Sequence, residues 1–145
     1  MSFWQKVKAL VSWKYLISGL VFIVLAIGLS FIDSADDVKV SFDTDALTIT
    51  SKHYEMKIGY DEIESAELTQ IIDRGENIDG RDNLTLRTGK WKNEAWGEYH
   101  ICADLDCTNC IVLHLTDGST YVFSRLSNKE TESLHAELLT HLNTD

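Results

Sequence analysis

Hydrophobic and polar positions divide this chain into one unbroken apolar block and a long series of alternations. The block is Tyr15–Ile32, eighteen residues without a charge. As a helix it would span about 27 Å, close to the hydrocarbon thickness of a bilayer, so it predicts a transmembrane helix. Ahead of it, Phe3, Trp4, Val7, Leu10 and Val11 fall on one helical face with Lys6 and Lys8 off it, the pattern of a segment lying in the headgroup layer. Trp13 and Tyr15 stand where an aromatic belt belongs, and the Lys14 ammonium can reach the interface. Trp4, Lys6, Lys8, Trp13, Lys14 and Tyr15 are therefore the expected membrane-interface anchors. The implied boundaries are 1–14 for an interfacial segment, 15–32 for the span, 33–37 for a linker and 38–145 for a folded domain.

After the block the period becomes two. Val38, Val40 and Phe42 alternate with Lys39, Ser41 and Asp43; Leu47 and Ile49 with Thr48 and Thr50; Tyr54, Met56, Ile58 and Tyr60 with His53, Glu55, Lys57 and Gly59. This predicts an antiparallel meander turning first at Asp43-Thr44-Asp45. Asp61-Glu62-Ile63 breaks the alternation, and Asp61 suits the cap of a single helical turn that drops Ile63 into the core. Glu64–Gln70 resumes as a strand with Ala66 and Leu68 inward. Residues 71–95, with Gly75, Gly80, Gly89 and many charges, read as a long loop with at most one short strand, pinned by Leu84, Leu86 and Trp91. Strands return over Trp96–Leu105, Ile111–Thr116 and Ser119–Ser124, and Asp117-Gly118 between the last two predicts a type I′ hairpin. Val122, flanked by Tyr121 and Phe123, implies a strand covered on both faces. Ser127 and Glu130 fit a capping box, and Leu134, Leu138 and Leu142, with Thr131 and Leu139 beside them, make a helical stripe that needs a sheet to bury it. The fold class is mainly β, with an N-terminal transmembrane helix and a closing α-helix.

Charge sharpens the division. Residues 1–32 hold three lysines and no acidic residue, which leaves ten basic and twenty-three acidic residues, a formal −13, for the rest. A domain so anionic repels nucleic-acid phosphates and anionic headgroups, which excludes nucleic acid as a partner. Lysines before the block and Asp33, Asp36 and Asp37 after it place the N-terminus in the cytoplasm and the domain outside the cell membrane. A cleaved signal peptide competes, with Gly28-Leu29-Ser30 as the cleavage site; the run exceeds the usual apolar core of about 7–15 residues in such peptides. The expected partners are the bilayer, through the first helix, and an unidentified protein.

Candidate chemistry is thin. His100, Cys102, Cys107 and Cys110 have some spacing suited to zinc, but a closed structural site wants four convergent ligands and only one Cys-x-x-Cys pair is present. A disulfide, Cys107–Cys110 or Cys102 with either, is an alternative outside the cell, and free thiols are another. No βαβ pattern surrounds the pair to suggest redox catalysis. Glu76, Asp79 and Asp82 with Asn77 and Asn83 crowd one segment without the ligand spacing of a calcium loop. His53, His114, His135 and His141 lie apart from any nucleophile pattern, and no phosphate-cradling loop or dinucleotide fingerprint occurs. No catalytic, cofactor-binding or metal residue is assigned, and a non-catalytic interaction or scaffold module without a cofactor is expected; the alternatives are a metal- or thiol-dependent sensor or enzyme using His100, Cys102, Cys107 and Cys110, or a secreted binding module after signal cleavage. Trp91, Trp96 and Tyr99 fit core pillars better than a ligand patch.

The stretch Tyr60-Asp-Glu-Ile-Glu-Ser-Ala-Glu-Leu68 resembles the tyrosine, turn, isoleucine and strand of bacterial pleckstrin-homology-like domains. Gly89-Lys-Trp91 and Trp96-Gly97 match the aromatic positions after the family's glycine-containing loop. Leu115-Thr-Asp-Gly-Ser-Thr-Tyr-Val-Phe123 and the terminal helix match its end. The resemblance covers about residues 38–142 and rests on order and spacing. It implies a seven-stranded, strongly bent antiparallel sheet or partly open barrel with the helix plugging one end. It implies a fold and little chemistry. Lipid-binding members carry basic residues in the first hairpin loop; here that loop is Asp43-Thr44-Asp45, so phosphoinositide binding does not carry over.

Overall fold

The structure, a computed structural model, describes residues 15, 17–25, 37–70 and 73–144. The chain divides into two compact units, Met1–Ala35 and Asp36–Asp145. In the first, residues 15 and 17–25 are helical and exposed. Residues 16 and 26–32 of the expected span lie outside the described residues, as do Trp4, Lys6, Lys8, Trp13 and Lys14. No helix among the described residues is long and apolar enough to cross a membrane.

The second unit holds two sheets and a helix. The first three strands, β1 (Lys39–Phe42), β2 (Ala46–Ser51) and β3 (Tyr54–Gly59), form the expected antiparallel meander. A 3-10 turn, Tyr60–Glu62, leads into β4 (Ile63–Gln70). Glu62 rather than Asp61 closes this turn, its carboxylate accepting from Gly59 N–H at 2.9 Å. Then come β5 (Glu76–Asp82), β6 (Leu86–Asn93), β7 (Gly97–Asp104), β8 (Asn109–Leu115) and β9 (Thr120–Phe123), followed by the C-terminal helix Asn128–Leu142. With β4 they make a six-stranded sheet in the order β4-β8-β9-β7-β6-β5.

Three features differ from the sequence expectation. The expected long loop over 71–95 is not found in its described part, 73–95: β5 and β6 form a hairpin extending the sheet. Its alternation escapes a hydropathy reading because Arg87, Gly89 and Asn93 share a face with Trp91, so polar residues stand where apolar ones are sought. Gly89 (φ 93°) is required there, since a Cβ would fall 2.5 Å from Asp79 O and from Gly80 Cα on the partner strand. Second, β7 and β9 pair in parallel, and the described strands form two separate sheets with no closed barrel. Third, the Asp117-Gly118 turn is not type I′. Only Gly118 has positive φ (86°), and its N–H donates to Leu115 O at 2.9 Å, as in a three-residue loop ending in a left-handed glycine.

Register defines two faces of the large sheet. Cys102, Phe123 and Ile111 face one way across β7, β9 and β8; Ile101, Val122 and Val112 face the other. The first set joins Leu47, Ile49, Met56 and Ile58 of the meander and Leu138 of the helix in the main core. The second joins Trp91, Tyr99, Ala103 and Cys110 in a smaller cluster with Trp96 at its rim. Val122 is thus covered on its own face while Phe123 is covered on the other, as the sequence implied; both are fully buried.

The helix begins as the capping signal requires, Ser127 Oγ accepting from Glu130 N–H at 3.2 Å. The Glu130 carboxylate turns away to Arg125 Nε at 3.4 Å instead of reaching back to Ser127. Leu138 and Thr131 are buried and Leu134 and Leu142 half-buried, whereas Leu139 lies at the stripe's exposed border.

Candidate functional site

The cavity that joins the most chemistry lies on the second face, around Arg87. Strand β6 places Arg87 between Asp82 of β5 and Ala103 of β7. The residue is 3 % exposed. One end nitrogen, Nη2, donates to Asp82 Oδ2 at 2.8 Å, and the guanidinium carbon sits 4.4 Å from the centroid of the Trp91 ring. Strand geometry explains the stack: residues four apart on a strand share a face, so Trp91 lies along the sheet from Arg87. Trp91 is fixed in turn by its indole N–H donating to Thr88 O at 3.1 Å. Arg87 Nε is buried with no hydrogen-bond partner among the described residues.

Beside Arg87 is a cavity of about 220 Å³ lined by Gln70, Arg74, Ala103, Asp104, Cys107 and Thr108 among others. The Arg74 backbone is tied down because its carbonyl accepts from Tyr99 O–H at 3.0 Å. The Asp104 carboxylate accepts from Asp106 N–H at 2.9 Å, and burial holds its pKa above the usual carboxylate range.

The sequence-selected His and Cys residues do not converge. His100 and Cys102 share the first face, as their spacing requires, while Cys110 lies in the cluster on the second. A Cys102–Cys110 disulfide would therefore have to pass through the sheet. Cys107 and Cys110 are free thiols in the structure. The single S–H of Cys107 is shared between Asn109 O, 2.9 Å from Sγ, and Asn128 Oδ1, 3.0 Å away, so it serves the β7–β8 connection and its junction with the helix. Asn128 Oδ1 also accepts from the backbone N–H of Thr108 and Asn109. Burial, then the neighbouring Cys107, pushes the Cys110 thiol up to about 12, so it is a poor nucleophile near neutrality. Among the described residues no group of three or more His, Cys, Asp or Glu is placed to hold a metal.

His100 stacks on Tyr121 at 4.8 Å between centroids, and its Nδ1 lies 3.1 Å from Tyr54 Oη. This contact links β7 to β3 of the meander. Burial, then the Lys90 charge, lowers the His100 pKa, with Glu98 opposing. Tyr54 is pushed up to about 12, first by burial and then by Tyr121, Cys102 and Asp79. Both tyrosines thus hold the His100 ring in place.

His114 meets Thr120 at 3.2 Å, His135 meets Ala66 O at 3.1 Å, and His141 stacks on Phe42 and Tyr60. The acidic cluster lies on the hairpin of β5 and the turn after it: Asn77 brackets Gly80 with two hydrogen bonds and Asp82 holds Arg87. Trp91 and Tyr99 are buried and Trp96 packs edge-on to Tyr99 at 5.2 Å, as pillars of the second cluster.

Arg87 itself does not stand out in the sequence. The available signal is its position four residues before Trp91 in a stretch bounded by Leu86 and Asn93, which places a cation and an aromatic on one strand face. In comparison with known proteins, no family model, curated protein or solved structure matches the chain.

Proposed function

We propose that this protein is a single-pass, membrane-anchored interaction module without catalytic activity, its N-terminus cytoplasmic and its acidic domain outside the cell membrane. The observation that carries the reading is the charge-free run 15–32 directly ahead of a β unit with its own buried core and a formal charge of −13. Such a run is most stable in hydrocarbon, and such a domain is most stable in water. The pleckstrin-homology-like assignment belongs to this proposal: a meander, a larger sheet whose last hairpin turns at Thr116-Asp117-Gly118, and a closing helix support it.

The non-catalytic part rests on how the candidate groups are engaged. His100 is occupied by aromatic contacts, Cys107 by hydrogen bonds, and Cys110 by burial. Contact with a partner falls to the open edge of β1, where Val40, Arg125, Lys129, Glu130 and Leu134 border a groove against the helix. An extended partner segment laid there would add a strand, its backbone supplying the hydrogen bonds and the mixed charges setting its register.

Membrane fractionation of the full-length protein tests the reading. Retention in the pellet after an alkaline wash, release only by detergent, and loss of the domain when intact cells meet a protease are the expected results. Recovery in the aqueous fraction without detergent overturns the anchor, and protection from the protease reverses the orientation. An intact mass that lacks residues 1–30 would instead mark a secreted module.

A further inference from the structure

We propose that the cavity beside Arg87 binds a small oxyanion, the carboxylate or phosphate group of a compact ligand. Arg87 is nine-tenths buried and more, yet Nε has no partner among the described residues, and leaving a charged donor unpaired away from water is costly. A guanidinium offers Nε and an end nitrogen as a planar fork matched to two oxygens of one carboxylate or phosphate. Asp82 engages Nη2, at 2.8 Å, so the position left for a ligand oxygen is Nε–H.

The surroundings favour an anion despite the domain's overall charge. Arg74, an exposed residue, lines the same cavity and is its second basic residue, alongside Gln70 and Thr108. Asp104 is the one carboxylate in the lining, and one of its oxygens is already engaged by Asp106 N–H at 2.9 Å. The Trp91 ring and the Asp82 carboxylate fix the guanidinium before any ligand arrives, which lowers the ordering cost of binding. The volume, about 220 Å³, equals roughly seven waters at about 30 Å³ each, so it suits a phosphate or a short carboxylic acid rather than a drug-sized molecule. The same chemistry could be presented by a free solute or by a lipid headgroup.

The test follows the Arg87 Nε–H resonance of full-length protein in zwitterionic micelles, with assignments from Arg87→Gln and Arg74→Gln. Sodium acetate and inorganic phosphate are titrated against sodium chloride at matched ionic strength. A second arm compares phosphatidylcholine nanodiscs with and without phosphatidylglycerol. A saturable shift with acetate or phosphate, absent with chloride, supports a free solute; a shift confined to the phosphatidylglycerol discs supports a headgroup. Arg74→Gln changes an exposed residue. It is expected to weaken binding about tenfold, the loss of one charge-assisted contact, with an unchanged melting temperature. The proposal fails if chloride reproduces the shift, if neither arm saturates, or if Arg74→Gln binds as well as the parent. It also fails if Asp82→Asn alone moves both the Nε and the Nη2 protons of Arg87, since Asp82 would then fill the whole fork. Because Arg87→Gln removes a buried cation and can unfold the second face, Arg74→Gln and the parent titration decide the outcome.

Discussion

The two faces of the six-stranded sheet are built on different physics. The first is hydrocarbon against hydrocarbon: Ile111, Leu113 and Phe123 meet the meander and Leu138 of the helix, all fully buried. The second mixes aromatics with buried polar groups, Arg87 stacked on Trp91, Thr88 accepting from the indole, and Asn93 donating to Asp73 O at 3.3 Å. The first face needs only volume to be filled, whereas the second needs each donor to find its acceptor. A polar partner lost there leaves an orphan in low dielectric, so that face trades tolerance for specificity.

Substitutions in neighbouring residues can break this comparison, most directly on β9. Phe123→Ala should cost about 3–5 kcal/mol in urea unfolding of the detergent-solubilised protein. Val122→Ala, one residue away on the opposite face, should cost about 2 kcal/mol if the second cluster is close-packed. A cost near zero for Val122→Ala would mean that only the first face is a core.

Trp91→Phe probes the polar side. It keeps a ring under Arg87 but removes the bond to Thr88 O and weakens the cation–π contact, with an expected loss of about 1–2 kcal/mol. Arg87→Met should cost about as much or less, because Asp82 is partly exposed and regains water once its partner is gone. A loss above about 3 kcal/mol would place the pair among fully buried ion pairs instead.

The smallest effect concerns His100. Its pKa is lowered in the folded state, so the unfolded chain binds the proton more readily. Stability from this group is therefore present above its ordinary value of 6.5 and declines as the pH falls through that value towards the folded pKa. His100→Gln should flatten the stability profile between about pH 7 and 5 by less than about 1 kcal/mol, since the ring is partly exposed. A steeper profile in the variant would show that His100 gains, not loses, from protonation.

What each region disclosed in advance follows from its chemistry. The meander, the C-terminal helix and strands β7 to β9 were readable because one face of each buries hydrocarbon, and burial of hydrocarbon leaves a period in the sequence. The β5–β6 hairpin left none: β5 is exposed nearly throughout, and β6 turns Arg87, Gly89 and Asn93 towards the same cluster as Trp91. Its pairing depends on Gly89 lying against Gly80, a contact between backbones.

The candidate cavity was hidden for the same reason. Arg87, Asp82, Arg74 and Asp104 sit on separate elements, and nothing in their spacing announces that they meet. Local preference and hydrophobic period are properties of the chain, so the sequence alone determined the apolar block, the mainly β class, the meander and the closing helix. Parallel pairing of β7 with β9, the division of the cysteines between two faces and the fork at Arg87 were decided only by tertiary structure, because each depends on which distant strand becomes a neighbour.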